Sequence, residues 1–95
     1  MDKNYEVIIT TIAEKQMRKL PRPILEHLYY WAESVERLGM NGVRKLSGYH
    51  DEPLRGKRKG QRSIRLNKAY RLFYEEEISG EIVIVAVLEV NKHEY

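Results

Sequence analysis

Five side chains of this sequence, Glu52, Lys57, Arg65, Arg71 and His93, offer one carboxylate, three cations and an imidazole. A carboxylate can take a proton from a hydroxyl, an imidazolium can return one to a departing oxygen, and cations can hold the negative charge that builds between them. On RNA, the carboxylate would deprotonate a 2′-hydroxyl, the cations would stabilise the in-line phosphorane, and the imidazolium would protonate the leaving 5′-oxygen. No metal is needed for that chemistry. Each residue also has a plainer reading. A lone histidine near a terminus is usually exposed and idle, and a glutamate before proline is usually a loop residue.

Other chemistries fit the sequence poorly. The stretch GKRKG at 56–60 lacks the spacing of a phosphate-binding loop and precedes a strand, not a helix, so no nucleotide cofactor is expected. His27, His50 and His93 have no metal-ligand spacing, and without cysteine there is no thiolate ligand or disulfide, so no metal is expected either. Neither Ser47 nor Ser63 sits in a nucleophile elbow.

The net charge of +3 is modest, but it is segregated. Between Arg44 and Arg71 ten Lys and Arg face two acids, while the rest of the chain carries seven bases and twelve acids. Such polarity predicts an anionic partner. Arg55, Lys57, Arg58, Lys59, Arg62 and Lys68, together with the two arginines above, are the expected RNA-binding cations.

These residues need a scaffold, and the hydrophobic pattern suggests one. Ninety-five residues suit a single domain, 1–95. Tyr5, Val7 and Ile9 predict a strand, and Thr11 with Glu14 has the pattern of a helix capping box. Ala13, Met17 and Leu20 predict a short helix stopped by Pro21. Ile24, Leu28, Trp31, Val35 and Leu38 predict a longer one, with Pro23 in its first turn and Gly39 as its C-terminal cap. Trp31 falls on the buried stripe, whereas His27 falls off it and is expected to be exposed.

After GMNG the period changes from 3.6 to 2. Ile64 and Leu66, then Tyr70, Leu72 and Tyr74, predict two strands with one buried face, and EIVIVAVLEV at 81–90 predicts a central strand covered on both faces. The expected fold is α+β: two N-terminal helices on one face of a twisted, antiparallel-rich sheet of four to five strands. Arg65 and Arg71 would then project from the open face, with Lys57, Arg58 and Lys59 at its rim. The N-terminal run MDKNYEVIITTIAEKQ has neither a signal-peptide core nor a membrane span, so a cytoplasmic protein with no membrane partner is expected.

The segment HDEPLRGKRKGQRSIRLNKAYRLFYE, followed by a hydrophobic strand and the ending KHEY, resembles the RelE superfamily of bacterial toxin-antitoxin ribonucleases, especially its YoeB-like and HigB-like branches. The resemblance covers the whole domain. It implies ribosome-dependent cleavage of messenger RNA in the A site of the 30S subunit, silenced by a cognate antitoxin. It also implies roles: Glu52 as general base, Arg71 as the phosphate-stabilising arginine, Arg65 as a basic residue of the preceding strand, His93 as general acid, and Tyr95 as a residue that orients or stacks a nucleotide. The ending departs from the YoeB-like pattern, because Glu94 separates His93 from Tyr95. Two other classes compete. ParE-like relatives share the fold but inhibit DNA gyrase without needing a base or an acid, and a plain nucleic-acid-binding module would bind without arresting growth.

Overall fold

The protein is described by a computed structural model covering residues 4–92; His93 and Tyr95, the expected acid and nucleotide-orienting residue, lie outside the described residues. The first strand, β1 (Asn4–Ile9), turns Tyr5, Val7 and Ile9 toward the core. Its ladder ends where the Thr10 amide donates to Val87 O at 3.1 Å. Thr10 Oγ1 then accepts from the Ala13 amide at 3.3 Å and so starts α1 (Thr11–Met17). The cap is therefore Thr10 and not Thr11, because the residue leaving the strand still has extended backbone and only that geometry lets a side chain reach the N3 amide.

Pro21 and Pro23 open α2 (Arg22–Arg44), where a missing amide hydrogen costs nothing. Ile24, Leu28, Trp31 and Val35 form its buried stripe. The helix does not end at Gly39 as the sequence suggests. Gly39 adopts φ 76°, ψ 165°, and helix resumes beyond it to Arg44. A β-carbon at Gly39 would come within 2.9 Å of the Tyr5 ring, so glycine serves both the left-handed backbone and the close approach. The break re-aims the last turns, burying Met40 and Val43, and leaves Leu38, expected in the core, 52% exposed.

After a short turn at Ser47–Tyr49 comes β2 (Glu52–Pro53), and after a second at Gly56–Arg58 come β3 (Arg62–Arg65), β4 (Tyr70–Ser79) and β5 (Ile82–Lys92). The sheet order is β1-β5-β4-β3-β2. The pairs β2–β3, β3–β4 and β4–β5 are antiparallel, but β1 lies parallel to β5, so the sheet is mixed. A parallel pair needs a long crossover, which the two helices and the later strands supply. Helices α1 and α2 cover one face, where Ile64, Leu72, Val83, Val85, Val87 and Val90 meet Leu28 and Trp31.

The strand β5 lies between β1 and β4, but it is not covered on both faces. Val83, Val85 and Val87 are buried, whereas Ile84 and Ala86 are only half-buried on the face away from the helices. A register shift between Phe73 and Tyr74 moves the next buried valine to Val90. No helix among the described residues is long and apolar enough to cross a membrane.

Candidate functional site

The register of β2, β3, β4 and β5 sets the site on the uncovered face. Arg65 lies directly opposite Arg71, which lies opposite Asn91. In the adjoining row Glu52 faces Ser63, Ser63 faces Phe73, and Phe73 faces Glu89. Because alternate residues share a face, Arg71 and Phe73 point the same way while Leu72 between them is buried. Arg71 Nη1 donates to Glu52 Oε1 at 3.4 Å. The Glu52 side chain is 59% exposed, so a carboxylate and a guanidinium stand together at an open surface.

The position of Glu52 depends on its neighbour. The side chain of Asp51 is only 1% exposed and accepts from two donors, Arg62 Nε at 2.6 Å and Tyr74 OH at 2.5 Å, with the Arg44 guanidinium in ion-pair range at 3.8 Å. Arg44 also donates to Glu76 and to Tyr74 OH. The Tyr74 ring rests against Trp31, centroids 5.3 Å apart, which carries the network into the core. Burial, and then the Asp51 hydrogen bond, push the Tyr74 hydroxyl well above the ordinary tyrosine range. Burial pulls the Arg44 guanidinium down, but the Tyr74 hydrogen bond and the nearby Tyr74, Glu76 and Asp51 charges outweigh it, so its pKa is raised. Asp51 thus anchors the chain from the helix side, and Glu52, next in sequence, lies against the other side.

The structure separates the expected cations. Arg65 is exposed and close to Arg71. Arg55, Lys57, Lys59 and Lys68 are exposed, and none forms an ion pair among the described residues. Arg62 does not belong with them, because its guanidinium is tied to buried Asp51. Arg58 is not simply at the rim either: its guanidinium lies 4.4 Å from the Phe73 ring centroid, and Nη2 pairs with Glu89 Oε1 at 2.7 Å. His27 is exposed as expected, yet its Nδ1 is 2.8 Å from Leu66 O, so it is the ring nitrogen carrying the proton. It lines a cleft of about 290 Å³ beside Arg65, with Tyr30 and Tyr49 among its walls. The sequence reading missed Asp51, Phe73 and Glu89. Only Phe73 left a signal, its two-residue spacing from Arg71.

A small α+β domain with two helices on one face of a mixed five-stranded sheet is the fold of solved toxins of toxin-antitoxin systems. No protein-family model and no curated protein matches the sequence. Among solved structures, it is similar to a chain of the RelBE2 toxin-antitoxin complex of Mycobacterium tuberculosis, at 31% identity and TM-score 0.67, over 95% of this chain and 99% of that one. It also shares the fold of the YoeB/ParE toxin of Agrobacterium tumefaciens (18% identity, TM-score 0.73, 94% and 99% of the two chains). The archaeal RelE-RelB complex of Pyrococcus horikoshii is similar in fold too (17% identity, TM-score 0.67, 94% of each chain). The chain belongs to the RelE superfamily of toxins.

Proposed function

We propose that this toxin is an endoribonuclease that cleaves messenger RNA in the ribosomal A site by attack of a 2′-hydroxyl, without metal or other cofactor. The observation that carries this reading is the 3.4 Å pairing of Glu52 with Arg71 on an exposed face, with Arg65 opposite Arg71. Glu52 is the base. Arg71 stabilises the phosphorane, and on binding RNA it exchanges its carboxylate partner for the scissile phosphate. Arg65, Arg55, Lys57, Lys59 and Lys68 hold flanking phosphates of messenger and ribosomal RNA. His93 as acid, and Tyr95 as the residue orienting a nucleotide, rest on the family resemblance. His93 follows Lys92, whose register partner Tyr70 precedes Arg71.

The complexes of the relatives support a cognate antitoxin. We place an acidic antitoxin segment on this same basic face, where it would occlude Glu52 and Arg71 and associate fast through complementary charge. The protein acts in the cytoplasm, where ribosomes are.

The test is primer extension on cellular messenger RNA after induction, run beside a gyrase cleavage assay. Cuts within translated codons, lost in Glu52→Gln, are the expected result. Intact messenger RNA with accumulated gyrase-DNA breaks would replace the nuclease reading by gyrase inhibition, for which neither Glu52 nor His93 is needed.

A further inference from the structure

Phe73 stands on the uncovered face two residues from Arg71, in the row made by Glu52, Ser63 and Glu89. Same-face neighbours along a strand are about 6.7 Å apart, close to the spacing of successive phosphates in an extended RNA strand. A nucleotide whose phosphate lies at Arg71 would therefore carry its base, or its neighbour's base, over Phe73.

That place is filled by a group with the properties of a base. The Arg58 guanidinium is planar, lies 4.4 Å from the ring centroid, and forms an ion pair with Glu89 Oε1 at 2.7 Å. Glu89 is held from its other oxygen by Asn91 Nδ2 at 2.8 Å, so Oε1 stays turned toward Arg58. Beside Phe73, Ser63 is fully buried although it belongs to the face without helices, and its hydroxyl has no hydrogen-bond partner among the described residues. A buried hydroxyl left unmatched is costly unless something else engages it. Arg58 itself sits on a short turn between Gly56 and Gly60, whose φ values of 66° and 98° favour glycine, and neither glycine is approached by another group among the described residues. Its ion pair is about one-third exposed, the kind that contributes little to stability.

We infer that Phe73 is a stacking platform for a nucleobase adjoining the scissile phosphate, and that Arg58 occupies this platform until RNA displaces it. Aromatic side chains on a sheet bind single-stranded bases in this way. Arg58 then trades Phe73 and Glu89 for a phosphate. The Ser63 hydroxyl gains a partner, and Glu89 serves only to hold Arg58 on the ring in the free protein. The inference rests on the reading of this face as the site of RNA cleavage.

The experiment places 2-aminopurine on either side of the cleavage position in a messenger RNA with a 2′-O-methyl group at the attacking hydroxyl, and reads its fluorescence on programmed ribosomes as toxin is added. Wild-type protein quenches one of the two positions by stacking. Phe73→Leu loses the quench and binds about 5- to 100-fold more weakly, as expected for loss of base stacking, while Phe73→Tyr restores both. Glu89→Gln, which frees Arg58 without touching the ring, quenches at lower toxin concentration than wild type. A quench unchanged in Phe73→Leu, or a Glu89→Gln variant that loses it, overturns the platform. A wild-type protein that cleaves unmodified messenger RNA but quenches neither position also overturns it, and leaves the nuclease reading standing. Failure of wild-type protein to bind the programmed ribosome at all removes both.

Discussion

Arg65 and Arg71 face one another across β3 and β4, yet only Arg71 has a carboxylate partner among the described residues. Like charges directly opposite in an antiparallel pair are destabilising. The arrangement serves stability poorly and a polyanion well. Arg65→Thr should raise stability by about 0.2–1 kcal/mol and weaken ribosome binding, with a shallower dependence of log affinity on log salt. Denaturant unfolding and binding at several salt concentrations measure both effects. A variant less stable than wild type with unchanged binding would make Arg65 structural.

Glu52 and Arg71 should behave as groups needed in the transition state. Glu52→Gln keeps shape but cannot accept the proton, and a loss of about 10²- to 10⁴-fold in single-turnover cleavage is expected. Arg71→Ala should reduce cleavage far more than ribosome binding, since its charge meets the phosphorane. Equal losses in rate and affinity would reduce Arg71 to an anchor.

Asp51 should matter for folding before it matters for chemistry. Its removal leaves Arg62 and Arg44 without their buried partner, and breaking such a pair costs about 3–5 kcal/mol. Arg44 and Arg62 are themselves more than a quarter exposed, which places Asp51→Ala at the low end. Chemical denaturation measures this directly, and the double variant Asp51→Leu/Arg62→Leu should recover part of the loss.

Gly39 tolerates no side chain. Gly39→Ala must adopt φ 76°, ψ 165° and push against the Tyr5 ring, so a loss of about 1–3 kcal/mol is expected from the backbone alone. Tyr5→Leu in the same background should relieve only the clash. Full recovery in that double variant would show that the backbone conformation carries no cost.

Alkaline pH should unfold the protein through Tyr74. Its hydroxyl titrates higher in the folded protein than in the unfolded chain. Its contribution is therefore complete below the unfolded value, about pH 10. Above that, the unfolded chain loses a proton that the folded protein keeps, and stability falls by about 1.4 kcal/mol per pH unit. Tyr74→Phe should be less stable at neutral pH, where Asp51 loses a donor, and should show a flatter alkaline decline. An identical slope in the variant would assign the titration elsewhere.

The sequence alone determined which face the residues of β3 and β4 would take, though not that β5 would bury only one of its faces. Period-two alternation placed Ile64, Leu72 and Tyr74 inside and Arg65 and Arg71 outside, and the 3.6-residue stripe buried Trp31. These readings succeed because alternation is a local property of the backbone. Partners are not local. Whether β1 would pair in parallel with β5, and whether α2 would continue past Gly39, depended on contacts across most of the chain. The same limit applies to charge. Asp51 and Glu52 read alike in sequence, as two acids before a basic run. Strand pairing sends the first into a buried network with Arg62 and Arg44 and leaves the second exposed beside Arg71. Composition counts cations, but only the fold decides which of them distant acids neutralise, and which stay free for an outside anion.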